Sequence, residues 1–132
     1  MNIDKIGCIV VCQATVMPDQ YLGIKCAKGR GRILPGGKWD PEDNNESYKD
    51  AAAREFSEEL GIQISTSFLK YIWHGPDGFG YTTFAFKYTG PLLTLSDCVE
   101  STEGKPCLIT EEQLYASQYN AYYRLLFEVM KK

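Results

Sequence analysis

The chain has 132 residues, 44% of them hydrophobic and 23% charged, with a formal net charge of −3. That length suits one domain around a single core and leaves no room for a second, and the composition is that of an ordinary soluble globular protein. The negative balance argues against a nucleic-acid binder driven by phosphate neutralisation, and no apolar run approaches the roughly 20 residues that span a bilayer. The start, MNIDKIGCIV, lacks a basic region followed by a long apolar core and a small-residue cleavage site, so an intracellular, cytoplasmic protein is expected. Five cysteines, Cys8, Cys12, Cys26, Cys98 and Cys107, are odd in number and without zinc-type spacing; they read as reduced, mostly buried thiols.

Residues 6–15, IGCIVVCQAT, form a nearly continuous apolar, β-rich run, as expected for a strand covered on both faces. Met17 to Gln20 turns it and Tyr21 to Cys26 returns, so the two are expected to make a hairpin. Lys25, Lys28, Arg30 and Arg32 then crowd a glycine-containing loop, whose role is either a phosphate contact or a solvated surface. Gly36 and Gly37 allow close backbone approach to a ligand, or a simple turn. The acidic DPEDNNE stretch after Trp39 does not follow a calcium-loop pattern and lacks its glycine.

A helix is expected next, capped by Asn45 or Ser47, rich in good helix formers from Ala51 to Leu60, and closed by Gly61. At about 100° per residue, Glu55, Glu58 and Glu59 share one face, while Ala53, Phe56 and Leu60 fall on another. Like charges at this spacing destabilise a helix by roughly 0.2–0.5 kcal/mol per pair, and Arg54 alone stands beside them to offset it. A hard divalent cation with oxygen ligands would relieve the repulsion.

In this stretch the chain resembles the Nudix hydrolases, whose box reads Gly, five residues, Glu, seven residues, then Arg-Glu-apolar-x-Glu-Glu-x-Gly-apolar. Here Glu46 is followed by seven residues and then by Arg54, Glu55, Phe56, Ser57, Glu58, Glu59, Leu60, Gly61 and Ile62. Gly37 is separated from Glu46 by eight residues rather than five, which reads as a three-residue insertion in the preceding loop. Asp43 has the family spacing from Gly37 but lies too far before Arg54, so Glu46 is the match.

Downstream, residues 63–73 suggest a strand, Gly75-Pro76-Asp77-Gly78 a turn, and residues 81–88 a well-patterned strand. Residues 90–106 are irregular. Thr110 should cap one final helix, with Leu114, Gln118, Ala121, Tyr122, Leu125, Leu126 and Val129 as its core stripe. Trp39, Trp73, Phe79 and Tyr81 lie at turns or strand ends, where an aromatic ring could stack on a base or simply join the core.

Strands, helix, strands and a last helix give an α/β chain with a mixed sheet between helices, in agreement with the α/β/α sandwich that the resemblance implies. The resemblance also implies hydrolysis of a pyrophosphate bond in a nucleoside diphosphate linked to another group, an ADP-ribose-like compound or a (d)NTP. The cofactor would be Mg2+ or Mn2+, held by Glu58 and Glu59, with the carbonyl of Gly36 and one further acid, Glu100 or Glu103, as candidate ligands. Glu55 would be a third ligand or the general base, and Arg54 would orient Glu55 or Glu46. Substrate contacts are expected from Arg32, Lys28, Trp39 and Tyr81. Pro76, fourteen residues after Ile62, is near the spacing of a proline associated with the ADP-ribose hydrolases. The expected partner is a small nucleotide, with neither nucleic acid nor membrane, and a homodimer is consistent with the family. The alternatives are a nucleotide-binding Nudix-fold protein without turnover and an acidic protein-interaction module.

Overall fold

The computed structural model describes residues 5–16, 19–26, 31–40, 45–102 and 104–132. In chain order these form strands β1 (Ile6–Val11), β2 (Gln13–Val16), β3 (Asp19–Cys26), β4 (Arg32–Ile33) and β5 (Gly36–Lys38), then helix α1 (Tyr48–Leu60). Strands β6 (Leu69–Pro76), β7 (Thr82–Tyr88) and β8 (Gly104–Ile109) follow, and helices α2 (Glu111–Tyr115) and α3 (Asn120–Met130) end the chain.

A mixed sheet in the order β5-β1-β7-β6 is central. Its parallel pair runs from Ile6 opposite Thr82 to Val11 opposite Lys87, with β5 antiparallel on β1 and β6 antiparallel on β7. Neighbouring residues of β7 point to opposite faces. The Phe84 ring lies against Tyr48 of α1, centres 4.4 Å apart, whereas Ala85 pairs with Trp73, whose ring packs on Tyr122 of α3 at 5.2 Å; the Tyr122 hydroxyl also donates to the Thr83 carbonyl at 2.9 Å. Helices α1 and α3 therefore cover opposite faces, the sandwich expected from the sequence.

The second sheet is built on β3, which pairs antiparallel with β8 from Tyr21 opposite Ile109 to Cys26 opposite Gly104. Strands β2 and β4 each pair with another part of β3. The apolar run at residues 6–15 is thus two strands rather than one, divided at Cys12, whose carbonyl accepts from the Leu22 amide at 2.9 Å. Apolar residues of both strands, Val10 and Val11 of β1 and Ala14 of β2, are buried, so hydrophobicity alone does not mark where the chain leaves one sheet for the other.

Helix α1 begins with a reciprocal cap. The Ser47 hydroxyl accepts from the Asp50 amide and the Asp50 carboxylate accepts from the Ser47 amide, both at 3.1 Å. Gly61 closes it at φ 73°, a left-handed conformation that glycine adopts without a Cβ penalty. Ala51, Ala52, Phe56 and Leu60 are buried beneath it.

Three expectations are corrected. The single final helix is two, broken after Tyr115, where Ser117 donates its hydroxyl to the Leu114 carbonyl at 2.7 Å and accepts from the Tyr119 amide. The break shifts the stripe: Tyr123 and Phe127 are buried beside Tyr122 and Leu126, whereas Gln118, Ala121 and Leu125 face solvent. The strand expected at residues 63–73 starts later, at Leu69, and runs on through Pro76, which pairs with Thr82. The stretch at 90–106, expected to be irregular, holds a short 3-10 helix at Leu95–Asp97 and, from Gly104, the start of β8.

The Tyr122 and Tyr123 phenols are both buried, and burial raises each well above its ordinary value. The unfolded chain would ionise these groups near pH 10 while the folded chain holds them neutral. Their stabilising contribution is therefore complete below about pH 10 and is lost as pH rises above it. Tyr122→Phe also deprives the Thr83 carbonyl of its donor, costing roughly 1–3 kcal/mol at neutral pH. Melting curves should show a lower Tm for Tyr122→Phe at pH 7 and a shallower alkaline decline than the parent. Identical curves would contradict this role.

Candidate active site

Helical spacing puts Arg54 within reach of Glu55 and Glu58, and the chain entering α1 brings Glu46 to the same side. Glu46 receives two hydrogen bonds from Arg54, Nε to Oε2 at 3.0 Å and Nη2 to Oε1 at 2.7 Å, and its side chain is only 6% exposed. Nη1 donates to Glu55 Oε1 at 2.9 Å and more loosely to Glu58 at 3.3 Å, while Nη2 also reaches the Lys38 carbonyl at 3.1 Å. The hydrogen bond to Glu46, reinforced by Glu55, raises the already high pKa of Arg54 and fixes its charge. Glu58 is the least confined of the three, with its side chain 57% exposed.

Glu46 is also held from its own loop. Its carbonyl accepts from Trp39 Nε1 at 2.7 Å, and its carboxylate accepts from the Asp40 amide at 3.3 Å. The longer loop before the helix therefore brings Glu46 to Arg54 all the same. Residues 41–44 of that loop, including Asp43, lie outside the described residues.

The glycine pair joins this cluster to the sheet. A buried Glu59 accepts from the Gly36 amide at 2.6 Å. A Cβ on Gly37 would stand 2.5 and 2.6 Å from the carboxylate oxygens of Glu55, inside any tolerable contact, so glycine is required there for Glu55 to lie against β5. A Cβ on Gly36 would likewise collide with Ile9 and the Cys8 carbonyl of β1.

Beside Glu55 and Glu59 opens a cavity of about 270 Å³, walled by Tyr81, Tyr119, Tyr122 and Tyr123, with Lys38 and Asp77 also at its lining. Lys38 Nζ stands 5.7 Å from the centre of the Tyr81 ring. Asp77 Oδ1 accepts from the amides of Phe79 at 2.7 Å and Tyr81 at 3.1 Å, which fixes the turn between β6 and β7. Cys8 also lines the cavity, but burial, followed by the nearby Glu46 charge, pushes its thiol up to about 12. It is thus protonated at neutral pH and unsuited to be a nucleophile.

The residues singled out in the sequence are distributed as follows. Glu55, Glu59, Gly36 and Tyr81 line the cavity, with Arg54 and Glu58 on the adjoining flank of α1. Trp39 lies apart from the lining; its ring meets Tyr48 edge-on at 4.9 Å. Arg32 extends toward the Cys107 thiol on β8. Glu100 is exposed beyond the C-terminal end of α1, next to Val99, whose amide donates to the Leu60 carbonyl. Lys28 and Glu103 lie outside the described residues. Lys38, Asp77, Tyr119 and Tyr123 were not anticipated. The sequence held a signal for the tyrosines, since residues 119, 122 and 123 recur at i, i+3 and i+4. Lys38 was legible only as the residue after Gly37.

The donor set suits a hard cation. Glu55, Glu58 and Glu59 offer carboxylate oxygen on one helical turn, and one guanidinium faces an excess of negative charge. Among the described residues, no three His, Cys, Asp or Glu side chains form a ready-made cage. Mg2+ needs none, because it commonly takes one or two carboxylates and completes its shell with water and phosphate.

A family model described as NUDIX domain matches residues 4–117. No curated protein matches the sequence significantly. Among solved structures, a MutT protein from Methanosarcina mazei Go1 superposes with a TM-score of 0.68 at 18% identity, over 97% of this chain and 96% of that one. An Ap4A hydrolase from C. elegans, in a binary complex, gives 0.66 at 17% identity over 96% and 95%. A MutT/nudix family protein from Enterococcus faecalis gives 0.54 at 22% identity over 76% of this chain, which spans 43% of that longer protein. At these identities the structures establish a shared fold.

The contact between Gly37 and Glu55 can be tested directly. Gly37→Ala should displace the Glu55 carboxylate and weaken Mn2+ binding, read by electron paramagnetic resonance, on the order of tenfold. Affinity equal to that of the parent would show that Glu55 does not need its place against β5.

Proposed function

The chain belongs to the Nudix hydrolase family, and from that premise we propose that it hydrolyses the pyrophosphate bond of a nucleoside diphosphate linked to another group, using Mg2+ or Mn2+. Nudix hydrolases act on small-molecule nucleotides and generally use divalent metal ions. The observation that carries the reading is the joining of two features at one place: the Arg54-organised carboxylates and a tyrosine-walled cavity that Glu55 and Glu59 themselves line.

Glu58 and Glu59 would be the principal ligands for the ion, with the Gly36 carbonyl as a further candidate. Such an ion neutralises phosphate charge and lowers the pKa of a bound water. Arg54 holds the Glu55 carboxylate through Nη1, positioning it for either of its two proposed roles, third ligand or proton acceptor for the attacking water. Glu46 acts through Arg54, fixing the guanidinium so that it in turn fixes Glu55. The tyrosines supply flat faces for the nucleoside, and Lys38 offers positive charge between the rings and the carboxylates. The water oxygen bonds to phosphorus, and the bridging anhydride oxygen leaves with the other phosphate; no covalent enzyme intermediate forms.

A small nucleotide substrate accords with a cytoplasmic setting, and among the described residues no helix is long and apolar enough to cross a membrane. A binding protein without turnover would not need Arg54, Glu55, Glu58 and Glu59 together, which disfavours that reading.

The test is product release from a panel of ADP-ribose, dinucleoside polyphosphates, nucleotide sugars and (d)NTPs with Mg2+ or Mn2+, and with a chelator as control. At least one member should be hydrolysed only with metal. Glu58→Gln should lower kcat by about 100-fold or more while the melting temperature stays close to the parent's. Parental rates in that variant, or no turnover of any member by the parent, would overturn the reading.

A further inference from the structure

The lining of the tyrosine-walled cavity includes a hydroxyl that the proposed chemistry does not use. Pairing across the mixed sheet sets Lys38, Gly7, Thr83 and Gly75 in one row over β5, β1, β7 and β6. Residues directly opposite each other in a sheet share a face. Here it is the face covered by α3: a Cβ on Gly75 would strike the Trp73 ring, which packs on Tyr122. A Cβ on Gly7 would stand 2.9 Å from Thr83 Oγ1. One glycine thus makes room for an indole and the other for the Thr83 hydroxyl, at a cavity that Lys38, Gly7 and Thr83 all line.

Thr83 is only 7% exposed, and its hydroxyl takes part in no hydrogen bond among the described residues; the bond from Tyr122 goes to its carbonyl. Tyr123, which also lines the cavity, is half satisfied. Its oxygen accepts from the Leu34 amide at 3.0 Å, and its own proton meets no acceptor among the described residues. Buried polar groups are nearly always paired, because an unpaired one forfeits its hydration without return. Valine has nearly the shape of threonine, favours strands equally and would avoid that cost. The hydroxyl is therefore matched to a group that enters the cavity.

We propose that Thr83 is a specificity-determining residue that hydrogen-bonds the edge of the nucleobase, with Tyr123 as a second donor. The proposal rests on the reading of this cavity as the nucleoside site. Strand β7 lies two strands from β5, roughly 9–10 Å, so Thr83 stands well away from a diphosphate held at Glu55 and Glu59, on the side where the base would lie. Tyr123 must donate, since its oxygen is engaged, and Thr83 can donate or accept. Ring nitrogens and carbonyl oxygens of a base supply the acceptors, while neighbouring tyrosine rings meet its faces.

The experiment measures, by calorimetry with Mg2+, the binding of methylene-bridged diphosphates of adenosine, guanosine, cytidine and uridine to the parent, Thr83→Val and Thr83→Ser. Methylenediphosphonate, which lacks a nucleoside, is the control. For the nucleotide that the parent binds best, Thr83→Val should weaken affinity by about fivefold or more and leave the control near its parental value. Its melting temperature should equal or exceed the parent's, because an unpaired buried hydroxyl has been removed. Thr83→Ser keeps the hydroxyl and loses the β-branch, so affinity should return toward the parent's while the melting temperature falls. A hydroxyl with a purely structural role would give the reverse in Thr83→Val, lower stability with parental affinity. Parental nucleotide affinity in Thr83→Val would overturn the proposal, as would an equal loss for methylenediphosphonate or no nucleotide binding by the parent. The expected binding pattern without hydrolysis of any nucleotide would keep this inference and overturn the pyrophosphate-hydrolase reading instead.

Discussion

One guanidinium organises this site. Arg54 is tied through two hydrogen bonds to Glu46, whose side chain is nearly buried, and it uses its remaining donors on Glu55, Glu58 and the Lys38 carbonyl. These contacts differ in strength. The paired bond to Glu46 has the fork geometry that makes such pairs strong and specific, whereas an exposed i, i+4 pair such as Arg54 with Glu58 contributes only about 0.3–0.5 kcal/mol. The first is a fixture. The second can be given up at small cost, which would leave Glu58 free for its proposed role as a metal ligand while Arg54 stays in place.

The sheet supplies the other constraint. Strand β5 lies on β1 with Gly36 opposite Ile9 and Gly37 opposite Cys8, so the two glycines stand where the edge of the mixed sheet meets α1. Gly36 donates its amide to Glu59 and Gly37 leaves room for Glu55; a side chain at Gly36 would meet Ile9 and the Cys8 carbonyl of β1, and one at Gly37 would displace the Glu55 carboxylate. The same strand continues to Lys38, whose carbonyl holds Arg54 and whose ammonium stands over Tyr81. Three consecutive residues thus connect the carboxylates, the guanidinium and the aromatic cavity.

Much of this was legible because it is local. The spacing of Arg54, Glu55, Glu58 and Glu59, the cap at Ser47 and the left-handed stop at Gly61 lie within one helix and follow from its period. Glu46 was identified by its distance from Arg54 despite the longer loop ahead of it. What escaped depends on contacts between residues distant in sequence. The break at Ser117 rests on a side chain bonding its own backbone, so nothing in the apolar stripe forecasts it, and Tyr123 turns inward because the Leu34 amide, far away in sequence, meets its hydroxyl. The division of the first apolar run at Cys12 is hidden for the same reason, since β1 and β2 pair in different sheets while apolar residues of both are buried. Trp39 shows the converse. Its position before the helix suggested a base contact, but its ring edges Tyr48 and its nitrogen supports the loop that carries Glu46.

We infer that the carboxylates of one helical turn, held ready by Arg54, close on a divalent cation against a diphosphate. The most direct measurement is a crystal structure of the protein grown with Mn2+ and a methylene-bridged nucleoside diphosphate, with the metal identified by its anomalous signal. Mn2+ should be bonded to oxygens of Glu58 and Glu59 and to the phosphates, with Arg54 released from Glu58 but still joined to Glu46. Nucleotide bound with no metal on these carboxylates, or metal held elsewhere while Arg54 keeps Glu58, would contradict it.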